Sequence, residues 1–167
     1  MFVACLNNDK VQVVTIDNRY SLTIPAFLKE VSNLNEDASL QYQHAMKEFY
    51  VVVIDEPKAE LQKALEDNGL NSLYSDDVDG FANLLIDGMD DAITITKKSD
   101  VIDTVVNSMP ARMIQIHGEI EGINAFYSVA YIEGKETYYQ VMTWTLASKE
   151  KKNREKMDKL LYTLKEL

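Results

Sequence analysis

The distribution of apolar and polar positions divides the chain into strands at both ends with two helices between them. Val11 to Asn18 (VQVVTIDN) is rich in β-branched residues and predicts a strand. Asp17-Asn18 offers a turn. Beyond it Tyr20, Leu22 and Ile24 alternate with Ser21 and Thr23 as far as Pro25, which cannot donate to a ladder. Lys29 to Ala38 is polar and irregular. Ser39 to Ala45 alternates again, and a tight connection at Met46-Lys47 leads into Phe49 to Ile54 (FYVVVI). An unbroken apolar run of this kind fits a central strand covered on both faces.

Asp55-Glu56-Pro57 predicts a helix start, with acids at the positive end of the dipole and proline in the first turn. Leu61, Ala64 and Leu65 supply its stripe, and Asn68-Gly69 ends it. A second helix is predicted after Ser75, where Val78, Phe81, Ala82, Leu85 and Met89 recur at three and four residues. Asp76 and Asp77 fall in its first turn. Short strands or connectors are expected at Ala92 to Thr96 and Val101 to Val106.

Three strands follow, joined by glycine-containing turns. They are Met113 to Ile120, with Ile114, Ile116 and Ile120 inward, then Ala125 to Ile132, then Thr137 to Leu146. Large side chains occupy both faces, Phe126 and Ile132 opposite Tyr127 and Tyr131, which calls for packing on both sides. Ser148 is expected to cap a last helix whose stripe is Met157, Leu160, Leu161, Leu164 and Leu167. The predicted fold class is α+β: an αβα sandwich around a mainly antiparallel sheet of six or seven strands, with helices on both faces.

The 167 residues suit one domain, expected over 11–167, with 1–10 as an N-terminal tail. A chain near this length buries roughly 70% of its unfolded surface, enough for a core without disulfides. The net charge of −10 changes the picture more than the 46% hydrophobic content does. Eleven acids lie between Asp55 and Asp91 against Lys58 and Lys63, whereas seven bases face four acids from Ser148 onward. Nucleic-acid binding depends on cationic neutralisation of phosphates, so no nucleic-acid partner is expected.

Catalytic motifs fail one by one. There is no phosphate-binding loop and no nucleophile elbow. His44 and His117 are the two histidines, and a shared metal site requires the sheet to bring them together. In the stretch Ser75 to Gly80, Asp77 and Asp79 match places of a calcium loop. Ser75 and Ile86 stand where ligands are required, so Asp76, Asp77 and Asp79 are weak metal candidates better explained as helix N-terminal acids. No cofactor is expected. Tyr138 and Tyr139, near a turn, are candidates with His44 and His117 for the rim of a ligand groove.

The single cysteine, Cys5, follows Phe2-Val3-Ala4 and precedes the polar run Asn7-Asn8-Asp9-Lys10. This order resembles the lipobox of bacterial lipoproteins, in which the cysteine is diacylated and a polar tether follows. Such a signal needs a charged and an apolar region upstream, and only three residues separate Met1 from Cys5. Lipidation therefore implies periplasmic or outer-membrane placement with Met1 an internal residue. If Met1 is the true start, the expectation is cytoplasmic.

Four segments together resemble one family: RYSLTIP at 19–25, ASLQYQHAMKEFYVVVIDEPK at 38–58, MPARMIQIHGEI at 109–120, and TYYQVMTWTLAS at 137–148 leading into MDKLLYTLKEL. The order is similar to the PsbP-like fold, shared by a lumenal extrinsic subunit of photosystem II and by Ran-binding Mog-type transport factors. It is closest to small bacterial envelope proteins of the Bacteroidetes type, often lipoproteins. The resemblance implies a sandwich used for docking and assembly, with no shared catalytic residues. The expected function is thus a non-catalytic binding or assembly module of the bacterial envelope. Its expected partner is a protein or envelope component, with membrane contact only through a lipid on Cys5. A small-molecule or enzymatic site near His117 and Tyr139, and a calcium-responsive acidic module, are the alternatives.

Overall fold

The structure, a computed structural model, describes residues 10–167. Strands β1 (Val11–Ile16) and β2 (Tyr20–Pro25) form a hairpin whose turn residues Asp17 and Asn18 both adopt positive φ, 47° and 55°. The three-residue loop Asp17–Arg19 is closed by the Arg19 N–H donating to the Ile16 carbonyl at 2.8 Å, and positive φ at both central positions suits the twist of the strands. Next come β3 (Lys29–Glu30), β4 (Leu40–His44), a 3-10 turn (Ala45–Lys47) and β5 (Phe49–Pro57). Helices α1 (Lys58–Asp67) and α2 (Val78–Met89) follow. Strands β6 (Thr94–Lys98), β7 (Ile102–Val106), β8 (Met109–Ile120), β9 (Ile123–Glu133) and β10 (Thr137–Leu146) come after them. A 3-10 turn (Ala147–Lys149), α3 (Glu150–Leu161) and β11 (Lys165–Glu166) end the chain.

The main sheet has eight strands in the order β3-β4-β5-β10-β9-β8-β6, with β7 also paired to β8. Every pairing is antiparallel. The fold is α+β as expected, and its main sheet holds one strand more than the upper expectation. A separate three-stranded sheet, β1-β2-β11, supplements it. The extra strand is β3: Lys29 and Glu30, in the stretch expected to be irregular, pair with Gln43 and Tyr42 of β4.

Alternation along the central strands sorts the core into two layers. On one face Phe49, Val51, Val53, Phe126, Ile132 and Val141 pack against Met157, Leu160 and Leu161 of α3 and against Leu22 and Ile24 of β2. On the other, Ile114, Ile116, Tyr127 and Tyr131 meet Phe81, Ala82, Ile86 and Met89 of α2. Phe126 and Ile132 thus do oppose Tyr127 and Tyr131. Burying each such side chain stabilises the fold by roughly 1.5–3 kcal/mol, so neither face is dispensable.

Four local expectations are corrected. Asp55-Glu56-Pro57 does not open a helix: β5 runs through it, because the long β10 offers Tyr139 opposite Asp55 and Tyr138 opposite Glu56. Arg19 also ion-pairs with Asp55. Ser148 is not the cap of α3. It lies in the 3-10 turn, and Lys149 takes the N-cap position without a side-chain hydrogen bond. Ile120 is not inward, being 41% exposed opposite Ile123 at the tip of the β8–β9 hairpin. Leu167 leaves the stripe of α3, which ends at Leu161 so that Lys165 and Glu166 can pair with Ser21 and Tyr20 of β2. Among the described residues no helix is long and apolar enough to cross a membrane.

Candidate functional site

His117 and Gln115 point from β8 toward α3, where the helix answers with charge. His117 Nε2 lies 2.8 Å from Glu150 Oε2, and its ring sits 5.1 Å from that of Phe126. Arg154 pairs with Glu150 one turn on and donates to Gln115 Oε1 at 2.9 Å. Asp158 accepts from Gln115 Nε2 at 3.1 Å and from the buried Ser128 hydroxyl at 2.7 Å. Burial pushes the Glu150 carboxyl up, but the hydrogen bonds and charges of Arg154 and His117 outweigh it and hold the pKa below its ordinary value. The network docks α3 on the sheet, and His117 is spent on that contact.

The other groove candidates do not converge on His117. Tyr139 pairs through Ile132 to Ala111, six residues from His117 on β8, roughly 20 Å along the strand. It is core: its ring meets Tyr20 edge-on at 5.4 Å and its hydroxyl lies 3.0 Å from Glu166 Oε1. Burial first, and then that carboxylate, raise its pKa well above the ordinary tyrosine value. Tyr138 faces the opposite layer, stacked on Phe81 at 4.7 Å beneath Lys58. It borders a cavity of about 160 Å³ between α1 and α2. His44 is four strands from His117, roughly 19 Å, too far to share a metal. Its Nδ1 accepts the Lys47 N–H at 3.2 Å and closes the 3-10 turn.

The three aspartates diverge rather than gather. Asp77 caps α2, its Oδ1 accepting the Gly80 N–H at 2.9 Å and the Ser75 hydroxyl at 2.6 Å. Those bonds, the serine's first, lower its pKa. Gly80 is needed here, since a Cβ would stand 1.8 Å from the Ser75 carbonyl oxygen. Asp79 pairs with Arg112 Nε at 2.5 Å, and Asp76 lies 3.5 Å from the Tyr138 hydroxyl. Because α2 begins at Val78, the backbone has already turned helical where a calcium loop should still be supplying ligands. Among the described residues no cluster of three or more metal-ligating side chains occurs.

A concavity that the sequence did not reveal lies between the small sheet and α3. It measures about 420 Å³. Apolar Val11, Pro25 and Phe27 line it beside Lys10, Lys47, Glu155, Lys156 and Lys159. Lys156, Lys159 and Leu160 reach it together because residues three and four apart share one helical face. The Thr163 hydroxyl accepts the Thr23 N–H at 3.1 Å, tying the end of α3 to β2. Buried Asn153 donates to the Lys47 carbonyl at 3.1 Å, holding the 3-10 turn that presents Lys47. Lys47 Nζ lies 5.2 Å above the Phe27 ring, and His44 packs edge-on against the same ring. His44, His117, Tyr138 and Tyr139, the groove candidates named from sequence, are not among its lining residues, and His44 reaches it only through the Phe27 ring. The excess of bases after Ser148 was the available signal, but Lys10 and Lys47 join it only through the fold.

Cys5 lies outside the described residues. No family model matches the sequence, and no curated protein matches it. Solved structures do match. Cyanobacterial PsbP (CyanoP) from Synechocystis aligns over 100% of this chain and 98% of its own, at 7% identity and a TM-score of 0.55. LpqN, involved in cell envelope biogenesis of Mycobacterium tuberculosis, aligns over 96% and 92%, at 8% identity and a TM-score of 0.57. The chain has the PsbP-like fold.

Proposed function

We propose that the chain is a non-catalytic binding or assembly module of the bacterial cell envelope, held there by a lipid on Cys5. The likeness in fold to LpqN over nearly the whole of both chains carries this reading. Fold alone does not fix function, so three further features of the chain support it. Both histidines serve structural contacts, His117 with Glu150 and His44 with the Lys47 N–H. The groove between the small sheet and α3 brings apolar and charged side chains together, the usual make-up of a binding site. The order Phe2-Val3-Ala4-Cys5 before a polar run is that of an acylation signal and tether.

Cell fractionation tests the proposal. Expressed from its own locus, the protein is expected in the membrane fraction and soluble only in detergent. Cys5→Ala is expected to move it out of that fraction. A wild-type protein that partitions with the cytoplasm, unaffected by Cys5→Ala, would refute the envelope reading.

A further inference from the structure

The small sheet ends on an open edge. Among the described residues β1 has β2 as its one strand neighbour, and Val11, Val13 and Thr15 along it are exposed. Backbone hydrogen bonds show which groups face that edge. The Lys10 carbonyl accepts the Ala26 N–H at 2.8 Å, so Lys10, Gln12, Val14 and Ile16 are the residues bonded to β2. Thr23, opposite Val13, turns both its N–H and its carbonyl to the Thr163 hydroxyl, at 3.1 and 3.0 Å. Bonded and non-bonded pairs alternate in an antiparallel ladder, so Val13 points its own N–H and carbonyl away from β2. Val11 and Thr15, two residues to either side, do the same, and Pro25 opposite Val11 has no N–H to offer. Among the described residues no partner meets these outward groups. The other edges are guarded, as natural sheets guard theirs. β3 is two residues long, β6 carries a register shift and Lys97-Lys98, and β7 carries Asp103. Between Val11 and Ile16 there is no charge, no proline and no bulge.

We propose that this edge pairs with β1 of a second copy of the chain, antiparallel about a two-fold axis at Val13, joining two three-stranded sheets into one of six strands. The outward groups are already symmetric about that residue. With the axis at Val13, Val13 meets Val13 and Val11 meets Thr15, so every outward N–H and carbonyl is satisfied in one register. An axis at Val14 needs groups that β2 already holds, and one at Val11 or Thr15 leaves most of the strand unpaired. A partner of different sequence has to supply this match separately, whereas an identical strand supplies it by symmetry. The β-branched side chains of Val11, Val13 and Thr15 then stand in cross-strand contact on one face. No like charges meet. Lys10 comes opposite Ile16, Asp17 is already paired with Arg19, and the acidic helices α1 and α2 pack on the other face of the main sheet. A contact of two strands is smaller than the roughly 1,200 Å² of a standard interface, so the expected affinity is micromolar.

Sedimentation velocity of the full chain is expected to show a monomer–dimer equilibrium across the micromolar range. Val13→Lys, at a position 66% exposed, sets two ammonium groups against each other at the axis and is expected to weaken the dimer at least about tenfold. Val105→Lys, on the similarly exposed face of β7, should leave it unchanged. Cross-linking reads the register. In a Cys5→Ala background, oxidation by diamide is expected to couple Val13→Cys to itself, because bonded pairs lie about 5.5 Å apart at Cα, within disulfide reach. Val11→Cys and Thr15→Cys should couple when mixed and not when each is alone. Amide exchange is expected to be slow at Val11, Val13 and Thr15 in the dimer and fast after dilution. A monomer at every concentration, a dimer indifferent to Val13→Lys, or cross-links in another register overturns the proposal. So does protection of those three amides that survives dilution, which would assign the edge to the chain's own residues 1–9.

Discussion

Asp77 and Glu56 are two carboxylates of the same acidic stretch, and their surroundings drive them in opposite directions. The Ser75 hydroxyl and then the Gly80 N–H lower the pKa of Asp77. A depressed folded-state value means the carboxylate contributes stability above its unfolded value and loses that contribution as pH falls through the folded one. Asp77→Ala is therefore expected to cost about 1 kcal/mol in urea denaturation at pH 7, with the deficit shrinking on acidification below the ordinary carboxylate range. Glu56 is raised, by burial first and then by Glu60 and Asp37. Its ionised form penalises the fold at neutral pH, and the penalty fades as pH falls through the raised value. Glu56→Gln is expected to raise Tm at pH 7 and to leave it unchanged well below the ordinary carboxylate pKa. Sequence placed Asp77 correctly at a helix start, since capping is local. It misjudged Glu56, because the strand partner that keeps Glu56 extended is Tyr138, far along the chain.

At the scale of elements, α3 is fastened twice. Its apolar stripe inserts Met157, Leu160 and Leu161 into the core, and its polar side reaches Ser128, Gln115 and His117 through Asp158, Arg154 and Glu150. Met157 is wholly buried, so Met157→Ala is expected to cost roughly 2–5 kcal/mol through the lost transfer energy and the cavity left behind. Asp158→Ala leaves the buried Ser128 hydroxyl without that acceptor, and a cost of about 1–3 kcal/mol is expected. Lys152→Ala on the exposed face should stay within about 0.5 kcal/mol. Equilibrium denaturation of the three variants checks the ranking. The stripe was legible from its period, but the end of the helix was not. Leu164 and Leu167 continue the spacing, yet the chain leaves the helix to lay Lys165 and Glu166 beside β2, a pairing with no local signature.

Across the whole molecule, the two-sided sheet was readable because alternation is a property of each strand by itself. Phe126 and Tyr127 announce two buried faces whichever strands lie beside them. The groove was not readable. Its lysines come from the start of β1, the 3-10 turn and α3, and a net charge of −10 averages them away. The same separation explains why His117 and Tyr139, both notable in sequence, occupy distant parts of one face. The described residues thus present an acidic body with a groove between the small sheet and α3 lined by apolar and charged side chains, and Lys10 at its edge lies five residues after Cys5. The intact mass of the protein recovered from its own cells tests envelope tethering most directly. The expected species begins at Cys5 and carries the added mass of a diacylglyceryl group on its sulfur. An unmodified polypeptide beginning at Met1, recovered from the soluble cytoplasmic fraction, would contradict it.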